Sequence, residues 1–191
     1  MEDWRDPPLT ELGERQAEAA GAALAAENIA AVYSSRLSRA HRTGEAVAAP
    51  HGLDVTVIET LAEIHMFGEL APHERPLDRM SETELEGARR RFARERRWEI
   101  YPFTESSLDF RRRVGNTIEG IIAAHPGEKV AVACHGGVIN AYVADFLKID
   151  ADMFFRPAHA SVHRILCRHE RRVVQTLNEL SHLREGDLLT F

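Results

Sequence analysis

Short β-branched runs that alternate with helix-forming runs constrain this chain more tightly than any other feature. Ala30-Ala31-Val32-Tyr33, the stretch from Asp54 to Ile58 and the stretch from Lys129 to Cys134 each read as a buried strand. Pro7-Pro8-Leu9-Thr10 opens an alanine-rich helix, with Thr10 as N-cap, that runs to about Glu27. Ser34-Ser35 is expected to break the first strand. The next helix runs from about Leu37 to Ala49, where Pro50 and Gly52 end it. Ser106 or Ser107 caps a later helix carrying Leu108, Val114, Ile118, Ile121 and Ile122, and His125-Pro126-Gly127 stops it. Another helix follows His135-Gly136-Gly137 through about Leu147, and 162–167 with 173–177 form a terminal β-hairpin. Strands that alternate with helices predict an α/β fold: a three-layer α/β/α arrangement with a mostly parallel central sheet.

No linker-like stretch divides the 191 residues, so a single domain spanning 1–191 is expected. Inside it, 64–103 departs from the pattern. Pro72, Pro76 and a charged helix capped by Ser81 with Glu84 mark an insertion or lid. The net charge of -6 argues against a nucleic-acid partner. Arg89-Arg90-Arg91 and Arg111-Arg112-Arg113 are read as solvated helix faces. Two cysteines make no disulfide framework, and both are read as reduced, which points to the cytoplasm. No apolar run reaches the roughly 18 residues of a membrane span. The start, Met1-Glu2-Asp3-Trp4-Arg5-Asp6, has neither the basic nor the apolar region of a signal peptide.

Ligands of open α/β sheets bind beyond the carboxyl ends of the strands. The three strand ends lead into Ser34-Ser35-Arg36-Leu37-Ser38-Arg39, Leu61-Ala62-Glu63-Ile64-His65 and His135-Gly136-Gly137. One rim thus carries an arginine, a carboxylate and a histidine. His135, if protonated, completes an anion site at a helix N-terminus; its other reading is a helix cap. Arg39 offers a planar fork to phosphate oxygens or forms a surface ion pair. Glu63 is a proton donor if desolvated, or a solvated loop acid. Cys134 lacks the arginine six residues on that a cysteine phosphatase needs, since Asn140 stands there, and it reads as a buried thiol. His159 and His163 flank a strand rather than sharing a helix face, so no metal site is expected.

Four runs in order resemble the histidine phosphatase superfamily, the phosphoglycerate mutase-like group. They are Asp6-Pro7-Pro8-Leu9-Thr10-Glu11-Leu12-Gly13, Tyr33-Ser34-Ser35-Arg36-Leu37-Ser38-Arg39-Ala40-His41-Arg42-Thr43, Leu61-Ala62-Glu63-Ile64-His65-Met66-Phe67-Gly68-Glu69 and Cys134-His135-Gly136-Gly137-Val138-Ile139. Thr104-Glu105-Ser106 and Ala160-Ser161-Val162 fit weaker stretches of the same pattern. The resemblance spans nearly the whole chain. It implies a phosphatase that cleaves a phosphate monoester through a phosphohistidine, without metal or cofactor. Its partner would be a small phosphorylated substrate or a phosphate or sulfate anion. By resemblance Arg39 holds phosphate oxygens, His135 with Gly136 binds the phosphate and the transition-state charge, and Glu63 protonates the leaving oxygen. The modest lid and short C-terminus favour phosphatase over mutase. The lid sets specificity, and Glu69, His73, Arg75 and Arg79 either face the substrate or are plain surface.

The departures from the pattern are specific. Cys134 stands where serine is usual and Arg36 where proline is common. The family's Arg-His-Gly motif, with its nucleophilic histidine and its strand, belongs before Asp6, yet five residues precede Asp6 and the first histidine is His41. The expectation is that the sequence starts downstream of that strand and is inactive as written. The alternative is a catalytically silent relative that binds phospho-ligands or a protein partner. An unpaired sheet edge left by the strand would invite a homodimer.

Overall fold

The computed structural model describes residues 5–71, 73–184 and 186–191. Residues 1–4, the start of the stretch tested for a signal peptide, and Pro72, one marker of the insertion, lie outside the described residues. Helix α1 (Glu11–Leu24) starts where Thr10 accepts the Gly13 N–H, with Glu11 and Glu14 in the first turn. It ends three residues before Glu27. The Glu27 carboxylate leaves the helix line and pairs instead with Lys129 and Arg164, at 2.7 Å each.

Strand β1 (Ile29–Ser35) runs through Ser34 and Ser35 rather than breaking there. Both serines are fully buried and stay in the ladder, Ser34 opposite Val57 and Ala133 and Ser35 opposite Ile58. The Ser35 hydroxyl accepts the Leu37 N–H, so its polar atom is satisfied locally and the strand continues. Helix α2 (Ser38–Ala48) follows, then β2 (Val55–Ile58). Gly21 permits α1 and α2 to touch: a Cβ there would fall 2.2 Å from the Ala46 carbonyl oxygen.

Next come α3 (Glu82–Glu95), α4 (Ser107–Ala124), β3 (Lys129–Ala133), α5 (Gly136–Leu147), the hairpin β4 (Val162–Arg168) and β5 (Arg171–Glu179), and the short α6 (Ser181–Arg184). Three strands form a parallel sheet in the order β2-β1-β3, while β4 and β5 pair antiparallel as a separate ladder. Period-two alternation sends Val32, Val55 and Ala131 to a core with α1 and α2, and Tyr33, Val130 and Val132 to a core with α4 and α5. This is the three-layer α/β/α arrangement.

Strand β4 joins both layers too, with Val162 in the first core and Ile165 in the second. It therefore extends the plane of the sheet, but among the described residues it forms no ladder with β3. The residues of β3 beyond Lys129 are only half-buried although they sit mid-fold. Glu27, through Lys129 and Arg164, ties the two strands at one end.

Within the 64–103 segment, Phe67, Leu70 and Leu85 form a small core, with Met80, Tyr101 and Phe103 against it. Its helix α3 is capped reciprocally by Ser81 and Glu84. The segment enters and leaves through a neck, where Glu105 donates its N–H to the His65 carbonyl and accepts the His65 N–H on its carboxylate. Behind the neck, buried Asp152 accepts the Trp98 N–H, the Ser107 hydroxyl and two N–H groups of Arg111. Glu69, His73, Arg75 and Arg79 are exposed on the lid, with Arg79 paired to Glu74.

The two arginine blocks behave differently. Arg89, Arg90 and Arg91 lie on a solvated face as expected, each paired with a glutamate on α3. Arg111 and Arg113 do not: each has a side chain only 18% exposed and bonded inward, and Arg112 alone faces solvent. The helix turns these neighbours about 100° apart, so one charge run supplies two buried anchors and one surface group.

Candidate active site

Arg39 is in the first turn of α2. Its guanidinium donates to the Arg5 carbonyl and lies 3.7 Å from Asp6, whose carboxylate accepts the Ser38 N–H and hydroxyl. Asp6 thus caps α2 and borders the Arg39 head. Arg36, the departure from the family pattern, pairs with Glu59.

Glu63 follows β2 and a short 3-10 turn. One carboxylate oxygen accepts the Ile64 N–H and the other the Gly137 N–H, both at 2.9 Å. It therefore sits on the N-terminus of α5. Burial pushes its pKa up, and the two N–H groups with the charges of Arg39 and Arg113 offset part of that rise. The direction suits a group that is to hand on a proton, while in the ligand-free site both Glu63 oxygens accept N–H groups, as an ionised carboxylate does.

The same contact locates the glycine constraint. A Cβ at Gly137 would lie 2.2 Å from the Glu63 Oε1, whereas at Gly136 the nearest atoms, on Pro157, are at an ordinary 3.7 Å. Neither glycine has a positive φ. The tight approach thus belongs to Gly137, and Gly136 supplies the first N–H of the helix.

His135 is the N-cap residue of α5, but its side chain makes no capping hydrogen bond. It is 7% exposed, and its Nε2 has no hydrogen-bond partner among the described residues. Burial, then the charges of Arg39 and Arg113, push its pKa down to about 3. Burial and the two arginines thus favour a neutral imidazole in the ligand-free site, whereas the anion site read from the sequence needs the protonated form. An arriving dianion reverses that balance, because a negative charge beside the ring favours the protonated form. Arg39 acts on the pKa of both Glu63 and His135, so the three groups named from sequence share one electrostatic neighbourhood.

Cys134 packs against the core, and burial with the Glu63 charge pushes its thiol up to about 12, far from a nucleophile's range. Two surface cavities, of about 380 and 330 Å³, lie elsewhere. One is lined by His41, Glu45 and Asp54, the other by Arg111, Glu119 and Tyr142, and neither includes Arg39, Glu63 or His135.

The buried histidines give a pH expectation. His163, which accepts the Asn178 N–H, is likewise held down to about 4 by burial. Both bind protons more weakly folded than unfolded, so stability falls as pH drops below about 6.5 toward these values. Glu63, with its raised pKa, works the other way and offsets part of the loss. Between pH 7 and 5, His135 alone should cost on the order of 2 kcal/mol. Urea unfolding should show His135→Gln losing less stability over that range than the wild type. Equal losses would mean that the folded protein holds His135 protonated.

Sequence reasoning missed Arg113. Its signal was placement: three residues after Phe110, over whose ring it lies at 4.7 Å, and beside buried Val114.

A basic fork, an unpartnered buried imidazole and a carboxyl group around one helix N-terminus suit an oxyanion, in the manner of α/β proteins that handle phosphoryl groups. Comparison with known proteins takes this class to a family. Residues 1–180 match the histidine phosphatase superfamily (branch 1), and the chain belongs to that superfamily. The probable phosphoglycerate mutase GpmB of Cronobacter sakazakii is 31% identical over 185 residues, covering 93% of this chain and 84% of that protein. Among solved structures, Bacillus stearothermophilus YhfR superposes with a TM-score of 0.80 at 27% identity, over 96% of this chain and 90% of its own. A mycobacterial glucosyl-3-phosphoglycerate phosphatase in complex with VO3 does so with a TM-score of 0.76 at 25% identity, over 94% and 90%. Among the described residues no helix is long and apolar enough to cross a membrane.

Proposed function

We propose that this chain carries the phosphate-holding frame of a phosphate monoester phosphatase of the phosphohistidine type. The observation that carries the reading is the buried His135, its Nε2 without a partner among the described residues, at the N-terminus of α5 in one electrostatic neighbourhood with Arg39 and Glu63. In this reading Arg39 and the first N–H groups of α5, from Gly136 on, hold nonbridging oxygens, and His135 takes up a proton as the dianion binds. A histidine nitrogen attacks phosphorus, the ester P–O bond breaks, and Glu63 gives its proton to the leaving oxygen. Water then cleaves the P–N bond. Phosphoryl transfer asks mainly for positioning and charge compensation, which these side chains supply without metal or cofactor.

The attacking histidine does not precede His41 in this sequence. The divided sheet supports one answer. A parallel strand laid between β3 and β4 would join the two ladders and bring its C-terminal end to the rim. Arg-His-Gly at that end would supply the nucleophile. The domain would then be whole, with 64–103 as its lid. A second copy pairing along the same edge would instead give a homodimer. The relatives' names include both mutase and phosphatase, and the modest lid favours hydrolysis of a small phosphorylated substrate. Two unpaired thiols fit the reducing cytoplasm. The second reading, a silent phospho-ligand binder, keeps the same frame without turnover.

Both readings require oxyanion binding at Arg39. Titrating phosphate into the chain should give saturable binding, weakened about 10-fold or more in Arg39→Gln through loss of a charge-assisted contact. The exposed control Arg90→Gln should leave it unchanged. Equal affinity in wild type and Arg39→Gln would remove the site from this rim.

A further inference from the structure

We infer that Arg113 is a positioning residue that clasps the Glu63 loop and keeps the Glu63 carboxylate on the N-terminus of α5, out of the anion's place. This rests on the oxyanion site proposed above. The clasp uses all five guanidinium N–H groups. Nη1 donates to the carbonyls of Thr60 and Ala62 at 2.8 and 2.7 Å, and Nη2 to the Glu63 carbonyl at 3.2 Å. Nε and Nη2 grip the Glu105 carboxylate bidentately at 2.7 and 2.8 Å.

Glu105 then accepts the His65 N–H. One arginine and its partner thus bind the loop on both sides of Glu63: three carbonyls before and at it, one N–H after it. With that backbone fixed, the Glu63 oxygens reach the Ile64 and Gly137 N–H groups. Gly137, the residue where a Cβ would collide with Glu63, completes the seat.

Two features argue that the clasp serves the site as well as the fold. Fixing one loop backbone needs one or two of the five donors, yet here every donor converges on residues 60–63 and 105. The carboxylate so held is an anion next to an anion site. Released, it would swing toward Arg39 and His135 and compete with the ligand. Lysine retains the charge of Arg113 but has no planar fork, so Arg113→Lys isolates the clasp from the charge.

Amide exchange is expected to speed up about 10-fold or more at Ile64 and Gly137 in Arg113→Lys, while the amides of β1 stay as protected as in the wild type. Glu105→Gln should give the same pattern more weakly, and it decides the matter if Arg113→Lys does not fold. Sulfate, which keeps its charge from pH 4 to 8, is the anion probe. At pH 7 its affinity should fall about 3- to 10-fold in Arg113→Lys, the size of coupling between contacting residues.

The loss should fade as pH is lowered and Glu63 protonates, and it should vanish in a Glu63→Gln background. A purely structural arginine would weaken binding equally in both backgrounds and at every pH. Unchanged exchange at Ile64 and Gly137, or a loss that persists with Glu63→Gln, overturns the clasp. Wild-type protein that binds no sulfate refutes the oxyanion site instead, while the exchange experiment still decides the clasp.

Discussion

The 191-residue chain on its own is expected to hydrolyse an aryl phosphate no faster than background, with no phosphohistidine formed. The earliest histidine, His41, is held by Ser34 and Glu45 and lines the cavity beside β2, apart from the rim of Arg39, Glu63 and His135. In the proposed reading His135 is the charge partner of the phosphate, which leaves it unable to attack as well. Losing the covalent nucleophile of a cooperating set costs about 10⁶ in turnover. A synthetic strand peptide ending in Arg-His-Gly should restore hydrolysis by pairing along β3. It should also raise the melting temperature, because each buried backbone group left unpaired costs about 1–3 kcal/mol. Efficient hydrolysis by the chain alone would show that another residue attacks phosphorus. A peptide that raises neither activity nor melting temperature would remove the proposed place between β3 and β4.

His135→Ala should weaken sulfate or phosphate binding about 10- to 150-fold, the worth of one charge-assisted hydrogen bond of about 1.5–3 kcal/mol. The fold should survive, since the His135 side chain makes no capping bond and its Nε2 meets no partner among the described residues. Removing a neutral buried imidazole also relieves its acid penalty, so the variant should resist acid better than the wild type while binding anions worse. That pairing of effects separates a ligand-binding histidine from a packing one. An anion titration with unchanged affinity would return His135 to the role of a buried core residue.

Features set by near neighbours were legible in the sequence. Thr10, Ser81 and Ser106 start their helices as expected, because a capping oxygen needs a donor only two or three residues on. The rim of Arg39, Glu63 and His135 was legible from strand ends alone, since parallel strands deliver their following residues to one edge. What escaped depended on distant partners. Ser34 and Ser35 looked like a break because their place in the ladder comes from β2 and β3. The steric demand fell on Gly137 because Glu63 arrives from 74 residues away. The helix-cap reading of His135 fails because its side chain makes no capping bond, and the burial and two arginines that favour its neutral form come from distant parts of the chain. Arg113 was hidden in a charge run, its partners the carbonyls of residues 60–63, some 50 residues upstream.

The neck between His65 and Glu105 closes the 64–103 segment into a loop whose ends meet. Chain that leaves and returns through one point can be lengthened at little entropic cost, about 0.6 kcal/mol per doubling of a flexible loop. Phe67, Leu70 and Leu85 give the insert an interior of its own, while Trp98, with Phe92 and Tyr101 beside it, packs into the core shared with α4 and α5. The segment is tied to the rest of the fold by the His65–Glu105 exchange at the mouth, by Asp152 on the Trp98 N–H behind it and by Arg5 on the Leu70 and Ala71 carbonyls. A replacement segment spliced at the neck therefore has to rebuild the contacts of Trp98 and Phe92 with the core of α4 and α5.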